Sequence, residues 1–208
     1  MESNMTTPSF LLSAEQSLLV VIDVQERLVP VIQGWEKLTA SIRFLMDAAA
    51  ILTVPVIVTE QYPKGLGPTV ELIRNHPATI LTLEKLRFSA AETLISNAWG
   101  AEQATRMARP IPEQIVLVGI ESHVCVQQTA LELRDEGLNV FVAADCIGSR
   151  HAEDHDAALR RMAAAGVTVT TAESIAFEWC GEAGSDRFKT LSRLVRDRDS
   201  QLANQPGE

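Results

Sequence analysis

Three residues whose types act together in nucleophilic catalysis lie at or just past the ends of short apolar runs: Asp23, Lys85 and Cys125. These runs are rich in β-branched residues and too short for buried helices, which predicts strands of a parallel sheet. The carboxyl ends of parallel strands lie at one edge of a sheet, where ligands bind, so we expect the three side chains to converge. Cys125 could then act as a nucleophile, Asp23 could take its proton, and Lys85 could hold the thiolate by charge.

Each of these residues also has an ordinary structural explanation when it is taken alone. Cys125 could be a small buried hydrophobe, because free cysteine is among the most buried residue types. Asp23 could cap the following turn, and Lys85 could be a solvated surface charge. The combination at matching strand ends favours a catalytic site over these alternatives.

The position predicted for Cys125 bears on its pKa. A helix is predicted to start at Ser122, acting as N-cap, and to stop at Gly137, with Cys125 in its first turn. The free N–H groups of that turn and the charge of Lys85 should lower the pKa of the thiol below the free value of about 8.5. An ionised Asp23 would oppose them, so the carboxyl and the thiol could instead share one proton.

The remaining pattern predicts an α/β fold. Apolar runs alternate with stretches of helical periodicity, which is typical of a six-stranded parallel sheet with helices on both faces, a three-layer, Rossmann-like architecture. No linker or repeat divides the chain, so we expect one domain over 1–208 with its core at about 17–195. The predicted strands are 17–24, 54–59, 79–83, 115–120, 139–144 and 167–171, and the predicted helices are 37–52, 69–75, 89–97, 101–109, 122–137, 149–165 and at least one within 177–195.

Composition narrows the classes of function. The net charge is −9 without a basic stripe, which disfavours nucleic acid and anionic membrane surfaces as partners. We find no signal peptide and no apolar run of membrane-spanning length. Cys125, Cys146 and Cys180 are an odd number at no metal-binding spacing, which favours reduced thiols and a cytoplasmic protein. Cys146 is interpreted as structural.

Three long strings resemble motifs of the isochorismatase-like cysteine hydrolases, especially the isochorismatase domain-containing, MAR1-like subgroup. The strings are TEQYPKGLGPTV at 59–70, EKLRFSA at 84–90 and HVCVQQTALEL at 123–133, and the resemblance extends over about 18–166. Asp23 in the string IDVQ, Lys85 and Cys125 match the catalytic residues of that family.

The resemblance implies both a fold and a mechanism. The fold is a six-stranded parallel sheet with flanking helices, as the strand pattern also predicts. Cys125 is expected to attack an amide or similar carbonyl, while Asp23 takes the thiol proton and later passes it to the leaving group. The backbone N–H groups of Glu121 and Cys125 would form the oxyanion hole, with a non-proline cis peptide between Ile120 and Glu121.

The sequence departs from the nicotinamidase branch of that family, which binds a metal through an Asp and two His beside the second strand. The corresponding string here, TEQYPKG, lacks histidine. His76 lies further along, before Pro77, and is interpreted as a surface turn residue. We therefore expect no metal and no other cofactor, and nicotinamide is disfavoured as the substrate.

Several polar and aromatic residues near the predicted strand ends are candidates for contact with a small-molecule substrate. His123 could line the pocket or could equally be a satisfied histidine at the start of the helix. Asp145 is expected to fix the following loop through Ser149 and Arg150. The candidates for substrate binding are Gln25, Glu60, Gln61, Tyr62, Phe88 and His123.

The preferred interpretation is a metal-independent cysteine hydrolase acting on a small amide or related carbonyl compound. One alternative is hydrolysis of a vinyl ether, as in isochorismatase itself, which relies on acid catalysis by Asp23 more than on a thiol. A non-catalytic binding or regulatory module is another. A nuclease activity fits a net charge of −9 badly.

The aromatic residues suggest an assembly. Four of them lie near predicted loops and helix ends, outside the strand pattern, and relatives of this type are commonly oligomers. We therefore expect a homo-oligomer, at least a homodimer, that buries some of these side chains. They are Trp35, Trp99, Trp179 and Phe177.

Overall fold

The sheet at the centre of the molecule is entirely parallel, as predicted. The computed structural model describes residues 10–98 and 112–203 of the chain. Within them the strands are β1 Ser17–Ile22, β2 Val56–Gln61, β3 Thr79–Lys85, β4 Gln114–Ile120, β5 Asn139–Gly148 and β6 Thr168–Thr170. Their order is β3-β2-β1-β4-β5-β6, so the direction of winding reverses between β1 and β4. Parallel α/β sheets bind ligands beside such a reversal.

Helices cover both faces of the sheet and complete the predicted three-layer α/β fold. The described α-helices are α1 Trp35–Leu52, α2 Pro63–Leu66, α3 Ala91–Ala98, α4 Gln127–Asp135, α5 Ala152–Ala164, α6 Ala172–Cys180 and α7 Asp186–Ala203. Apolar residues of α1, α6 and α7 pack on one face. Those of α3, α4 and α5 pack on the other.

Strand β1 shows why the central strands form where they do. Leu18, Val20 and Ile22 contact the core on the α4 side, while Leu19 and Val21 contact the core on the α1 side. All five are buried. Burying one such side chain fully stabilises the fold by about 1.5–3 kcal/mol, so a continuous apolar run is stable only at the centre of a covered sheet.

Gly119 allows the ends of β1 and β4 to approach closely. Its φ is +117°, and a Cβ at this position would lie 2.1 Å from the carbonyl oxygen of Ile22. Only glycine fits so close an approach, because any side chain would collide with the β1 backbone. The segments that follow these two strands therefore begin side by side.

Some predicted elements differ from those observed. The predicted helix at 69–75 is wrong: this segment forms turns, and Asn75 has a left-handed φ of +64°. The predicted helix at 101–109 lies outside the described residues. The region 177–195 contains parts of two helices, which Gly181 separates with a φ of +73°.

Asp145 does not have its expected partners. It lies within β5, where one carboxylate oxygen accepts the N–H of Ala172 at 2.8 Å and the other accepts Arg198 at 3.1 Å. The expectation that Asp145 fixes the next loop through Ser149 and Arg150 is wrong, because β5 continues to Gly148. Cys146 is fully buried in the core.

Candidate active site

The carboxylate of Asp23 is buried immediately after β1 and has a partner on each oxygen. Thr59 donates its hydroxyl to Oδ1 at 2.8 Å, and Lys85 donates to Oδ2 at 2.6 Å. The φ of Asp23 is +51°, in the left-handed region that non-glycine residues adopt rarely. Such backbone conformations occur preferentially at functional sites.

Lys85 is the last residue of β3, and its side chain is only 1% exposed. Its Nζ donates to Asp23 Oδ2, to Gln61 Oε1 at 2.8 Å and to the carbonyl of Phe88 at 2.8 Å. An ammonium group has three donors and no acceptor, so these partners satisfy the charged form of the amine completely. Lys85 can therefore supply fixed positive charge but is not arranged to accept a proton.

Cys125 lies in a π-helical turn, Ser122–Val126, that joins β4 to α4. The thiol is buried close to the carboxylate of Asp23 and to the backbone N–H of Glu121, and both act on its pKa. Burial, and after it the charge of Asp23, raise the pKa of Cys125 to about 12, while Lys85 and the Glu121 N–H act in the opposite direction. The prediction of a lowered pKa is wrong because desolvation of the thiolate outweighs the nearby positive charge.

The side chains of Asp23, Lys85 and Cys125 thus meet at the carboxyl edge of the sheet. An ion pair joins Asp23 to Lys85, and the thiol of Cys125 lies close enough to both for their charges to act on its pKa. The convergence expected from the strand ends is present in the structure. The arrangement can keep the thiol protonated at rest and offers it a carboxylate to which the proton can pass.

The turn that carries Cys125 begins differently from the prediction. The cis peptide between Ile120 and Glu121 is present, as expected. Glu121, not Ser122, occupies the N-cap position, and it makes no side-chain cap hydrogen bond. The Ser122 hydroxyl is instead 3.0 Å from His155 Nδ1, so its prediction as N-cap is wrong.

Gln25 and Gln61, predicted to contact substrate, are both buried and hydrogen-bonded within the protein. Gln25 accepts the N–H of Gln61 at 2.8 Å and donates its amide to the carbonyls of Gln61 and Gly67. Gln61 donates its own amide to the carbonyl of Leu86 at 2.7 Å and accepts from Lys85. Gln61 therefore holds the ammonium of Lys85, whereas Gln25 holds Gln61 and the loop after β2.

The other predicted contact residues lie nearer the surface. Glu60 accepts two hydrogen bonds from Thr69, each of 2.7 Å, which fasten the loop after β2. Tyr62 is 51% exposed and Phe88 54% exposed. His123 is partly buried, and its Nδ1 is 3.0 Å from the hydroxyl of Ser149.

Sequence reasoning missed Thr59, which fixes one oxygen of Asp23. Thr59 pairs with Ile22 in the β1–β2 register, so it is the β2 residue beside the end of β1. A polar residue directly after the apolar run at 56–58 was the available signal.

No site for a resident metal is evident in the part of the chain that the structure describes, where no three His, Cys, Asp or Glu side chains are grouped to hold an ion. His76 is buried, not at the surface as predicted: it contacts Asp47 at 3.0 Å through Nε2, and its Nδ1 accepts the N–H of Ala78. None of the described helices is both long enough and apolar enough to cross a bilayer.

The chain is similar in sequence to known proteins of one family. The family model described as the isochorismatase domain matches residues 17–174. Isochorismatase domain-containing protein 1 of Salmo salar is 37% identical over 174 residues, which are 84% of this chain and 59% of that protein. The chain therefore spans 59% of the length of that relative.

Two solved structures share the fold. The structure of MAR1 ribonuclease from Caenorhabditis elegans has a TM-score of 0.78 and 34% identity, covering 89% of this chain and 92% of that one. The YcaC gene product of Escherichia coli, described as an octameric hydrolase of unknown specificity, has a TM-score of 0.77. Its identity is 22%, with coverage of 95% and 97%, so this likeness concerns the fold alone.

Proposed function

The chain belongs to the isochorismatase family, and on this premise we propose that it is a metal-independent hydrolase whose nucleophile is Cys125. Its substrate would be a small amide or related carbonyl compound. One observation carries the proposal: the buried carboxylate of Asp23 is paired with the ammonium of Lys85 and lies close to the buried thiol of Cys125. A carboxylate held in that way can accept the thiol proton at the moment the sulfur attacks.

In the first step Asp23 takes the proton of the Cys125 thiol as the sulfur forms a bond to the carbonyl carbon. The π electrons of the carbonyl move to its oxygen and give a tetrahedral intermediate. When the intermediate collapses, the C–N bond breaks, and the protonated Asp23 gives its proton to the departing nitrogen. An acyl thioester remains on Cys125, and Asp23 is again a carboxylate.

In the second step water attacks the thioester while Asp23 takes a proton from it. The new C–O bond forms, the C–S bond breaks, and the proton on Asp23 returns to the sulfur. The products are a carboxylic acid and an amine, and the enzyme regains its starting state. The same residue therefore acts first as base and then as acid in each half of the reaction.

Lys85 has an electrostatic role in this proposal. At rest, burial and then the charge of Asp23 raise the pKa of Cys125, which keeps the proton on sulfur. Once Asp23 has accepted that proton it is neutral, so the remaining charge beside the developing thiolate is the ammonium of Lys85. Before the proton moves from Cys125 to Asp23, the site disfavours a thiolate. After the transfer, the same site stabilises the thiolate.

The backbone N–H groups of Glu121 and Cys125 are the proposed oxyanion hole. The Glu121 N–H faces the sulfur, which supports this assignment. Donors placed where negative charge develops lower the barrier without reorganising during the reaction. Tyr62, Phe88 and His123 are the proposed contacts for the substrate, whereas Gln25, Glu60 and Gln61 are proposed to hold the loops around it.

Assembly and location form part of the proposal. We propose a homo-oligomer, for which the YcaC gene product, a protein of the same fold described as octameric, is a precedent. The three cysteines are all free, which supports a reducing compartment, and we place the protein in the cytoplasm.

Mass spectrometry can test the nucleophile directly. The full-length protein is incubated with a library of small amides and esters, quenched in acid and mapped by peptides. We expect an acyl adduct on Cys125 with the substrates that turn over. Cys125→Ser should lower turnover by a factor of roughly 10³ or more, because a hydroxyl is a far weaker acid than a thiol.

Cys180→Ser is the matched control and should retain both the adduct and turnover, because Cys180 lies at the end of α6, away from the triad. Turnover should also survive exhaustive chelation. Turnover of a vinyl ether, or cleavage of RNA, that persists in Cys125→Ser would overturn the proposal in favour of a different chemistry.

A further inference from the structure

The hydroxyl of Thr129 links the turn of the proposed nucleophile to a second segment of the chain. Thr129 lies in α4, four residues after Cys125, and is fully buried. Its Oγ1 donates to the carbonyl of Cys125 at 2.6 Å and accepts the N–H of Ala90 at 2.9 Å. One buried hydroxyl therefore joins the π-helical turn to the loop that follows β3.

That loop supplies part of the environment of Lys85. The ammonium donates to the carbonyl of Phe88 at 2.8 Å and approaches that of Arg87 at 3.3 Å. Phe88 is only two residues before Ala90, the partner of Thr129. A shift of the Ala90 backbone would therefore move an acceptor that fixes the ammonium.

Glu132 fastens the same loop from the next turn of α4. It accepts the hydroxyl of Ser89 at 2.8 Å and Arg87 at 2.9 Å, and Arg87 also pairs with Glu92. Positions 129 and 132 are three residues apart and so lie on one face of the helix. The side chains of Glu132 and Arg87 are 40% and 60% exposed, so solvent weakens this ion pair, and the buried link through Thr129 is the stronger constraint.

We propose that Thr129 is a positioning residue whose hydroxyl sets the placement of Lys85 relative to Asp23 and Cys125, with Glu132 as a second attachment of the same loop. The inference rests on the function proposed above for Lys85. The proposed role follows from the two hydrogen bonds of the Thr129 hydroxyl. Thr129→Val would keep the shape of the side chain but leave the buried Ala90 N–H without its acceptor.

The charges that face Cys125 indicate the direction of the effect. Asp23 disfavours the thiolate and Lys85 favours it. If the loop moves, the ammonium of Lys85 is held less firmly beside the sulfur and stabilises the thiolate less. The pKa of Cys125 then rises further, and its reaction with iodoacetamide at a fixed pH slows.

The experiment measures the rate of iodoacetamide labelling of Cys125 across pH, by peptide mapping, in the full-length protein. Thr129→Val should label roughly three to ten times more slowly at pH 8.5, in the same direction as Lys85→Ala. Thr129→Ser retains the hydroxyl and should label like wild type. The double variant Lys85→Ala, Thr129→Val should be no slower than Lys85→Ala alone, because both changes act through one ammonium.

Thr39→Val is the matched control. Thr39 is also a buried helical threonine whose hydroxyl donates to the carbonyl four residues earlier, at 2.9 Å, but its bonds stay within α1. This variant should leave the labelling profile unchanged. If Thr129→Val fails to fold, Glu132→Gln takes its place, with slower labelling in the same direction and a smaller effect.

Two results separate this inference from the function on which it rests. Slower labelling in Lys85→Ala with unchanged labelling in Thr129→Val, or in Glu132→Gln where that variant replaces it, would overturn the positioning role alone. Unchanged labelling in Lys85→Ala would overturn the proposed role of Lys85 and this inference with it.

Discussion

The ion pair of Asp23 and Lys85 is buried on both sides, with 0% and 1% of the two side chains exposed. Burial of charges costs free energy that mutual attraction offsets only when further hydrogen bonds satisfy both groups. Thr59, Gln61 and the carbonyl of Phe88 provide those bonds here. A buried pair contributes little net stability as a rule, so its placement beside a thiol is better explained by chemistry than by folding.

Asp23→Asn should make the thiol of Cys125 more reactive toward iodoacetamide and at the same time lower turnover. Removing the negative charge lowers the pKa of Cys125, so the thiolate fraction at pH 8.5 rises and labelling with iodoacetamide should accelerate, by about tenfold for each unit of pKa change. Turnover should nevertheless fall by a factor of roughly 10³ or more, because no base remains to accept the thiol proton. Burial, the largest cause of the raised pKa, is unchanged by this substitution.

The labelling rate of Cys180 in the same samples is the internal reference, because it reports the reagent concentration and the pH. Circular dichroism checks that the Asp23→Asn variant is folded. Slower labelling of Cys125 in this variant would contradict the assignment of Asp23 as a group that raises the pKa of the thiol.

At the scale of elements, the contact between β1 and β4 decides whether the site exists. Both strands end where the winding of the sheet reverses, and Gly119 pairs with Ile22 there. Asp23 and the Glu121 N–H follow these two residues closely in sequence. The separation of the two strand ends therefore sets the distance between the proposed base and the proposed oxyanion hole.

Gly119→Ala should destabilise the fold by more than about 3 kcal/mol, because the new Cβ would overlap the Ile22 carbonyl in addition to straining φ. Gly34→Ala is the matched control: φ is also positive, at +65°, in the left-handed region, but no atom lies within 4 Å of the new Cβ. That control should cost about 1–2 kcal/mol. Urea unfolding of both variants gives the comparison, and equal losses would contradict the steric argument.

At the scale of the whole molecule, the aromatic residues divide into core and surface. Trp179 is buried at 5% exposure and donates its indole N–H to Ser17 at 2.9 Å, so it is a core residue and not one of the aromatics available to a subunit interface. Trp35 and Phe177 remain 36% and 40% exposed. Trp99 lies outside the described residues.

The C-terminal helix α7 lies beyond the residues matched by the family model yet is tied to the rest of the molecule. Arg198 donates to Ser41 and Asp145, each at 3.1 Å, and stacks over the ring of Phe44. These contacts join α7 to both α1 and β5. The helix is therefore an integral part of the layer on that face of the sheet.

Sedimentation can test the expected homo-oligomer. At micromolar concentration the protein should sediment at a multiple of its monomer mass, and Phe177→Glu should shift the distribution toward monomer by placing a charge in an apolar contact. Trp35→Glu is the parallel variant at the other exposed aromatic position. A single monomeric species for the unmodified protein would contradict the expectation.

Much of the fold could be predicted from the sequence because local patterns determine it. Apolar runs such as that of β1 require burial on both faces, and helical stretches between such runs require a parallel sheet. Parallel strands in turn bring Asp23, Lys85 and Cys125 to one edge whatever their separation in the chain. The convergence of the three residues could therefore be predicted without knowledge of any distance.

Tertiary structure alone decided the pKa of the Cys125 thiol and the hydrogen bonds that hold Asp23 and Lys85 in place. The pKa of Cys125 depends on how completely the thiol is desolvated beside Asp23, which no local pattern states. The roles of Thr59 and Thr129 depend on strand register and on the approach of the β3 loop to α4, contacts between residues 36 and 39 positions apart. Sequence determined which residues meet, whereas packing determined the pKa of the thiol and the hydrogen bonds that hold its neighbours, because burial and hydrogen bonding are properties of the assembled core.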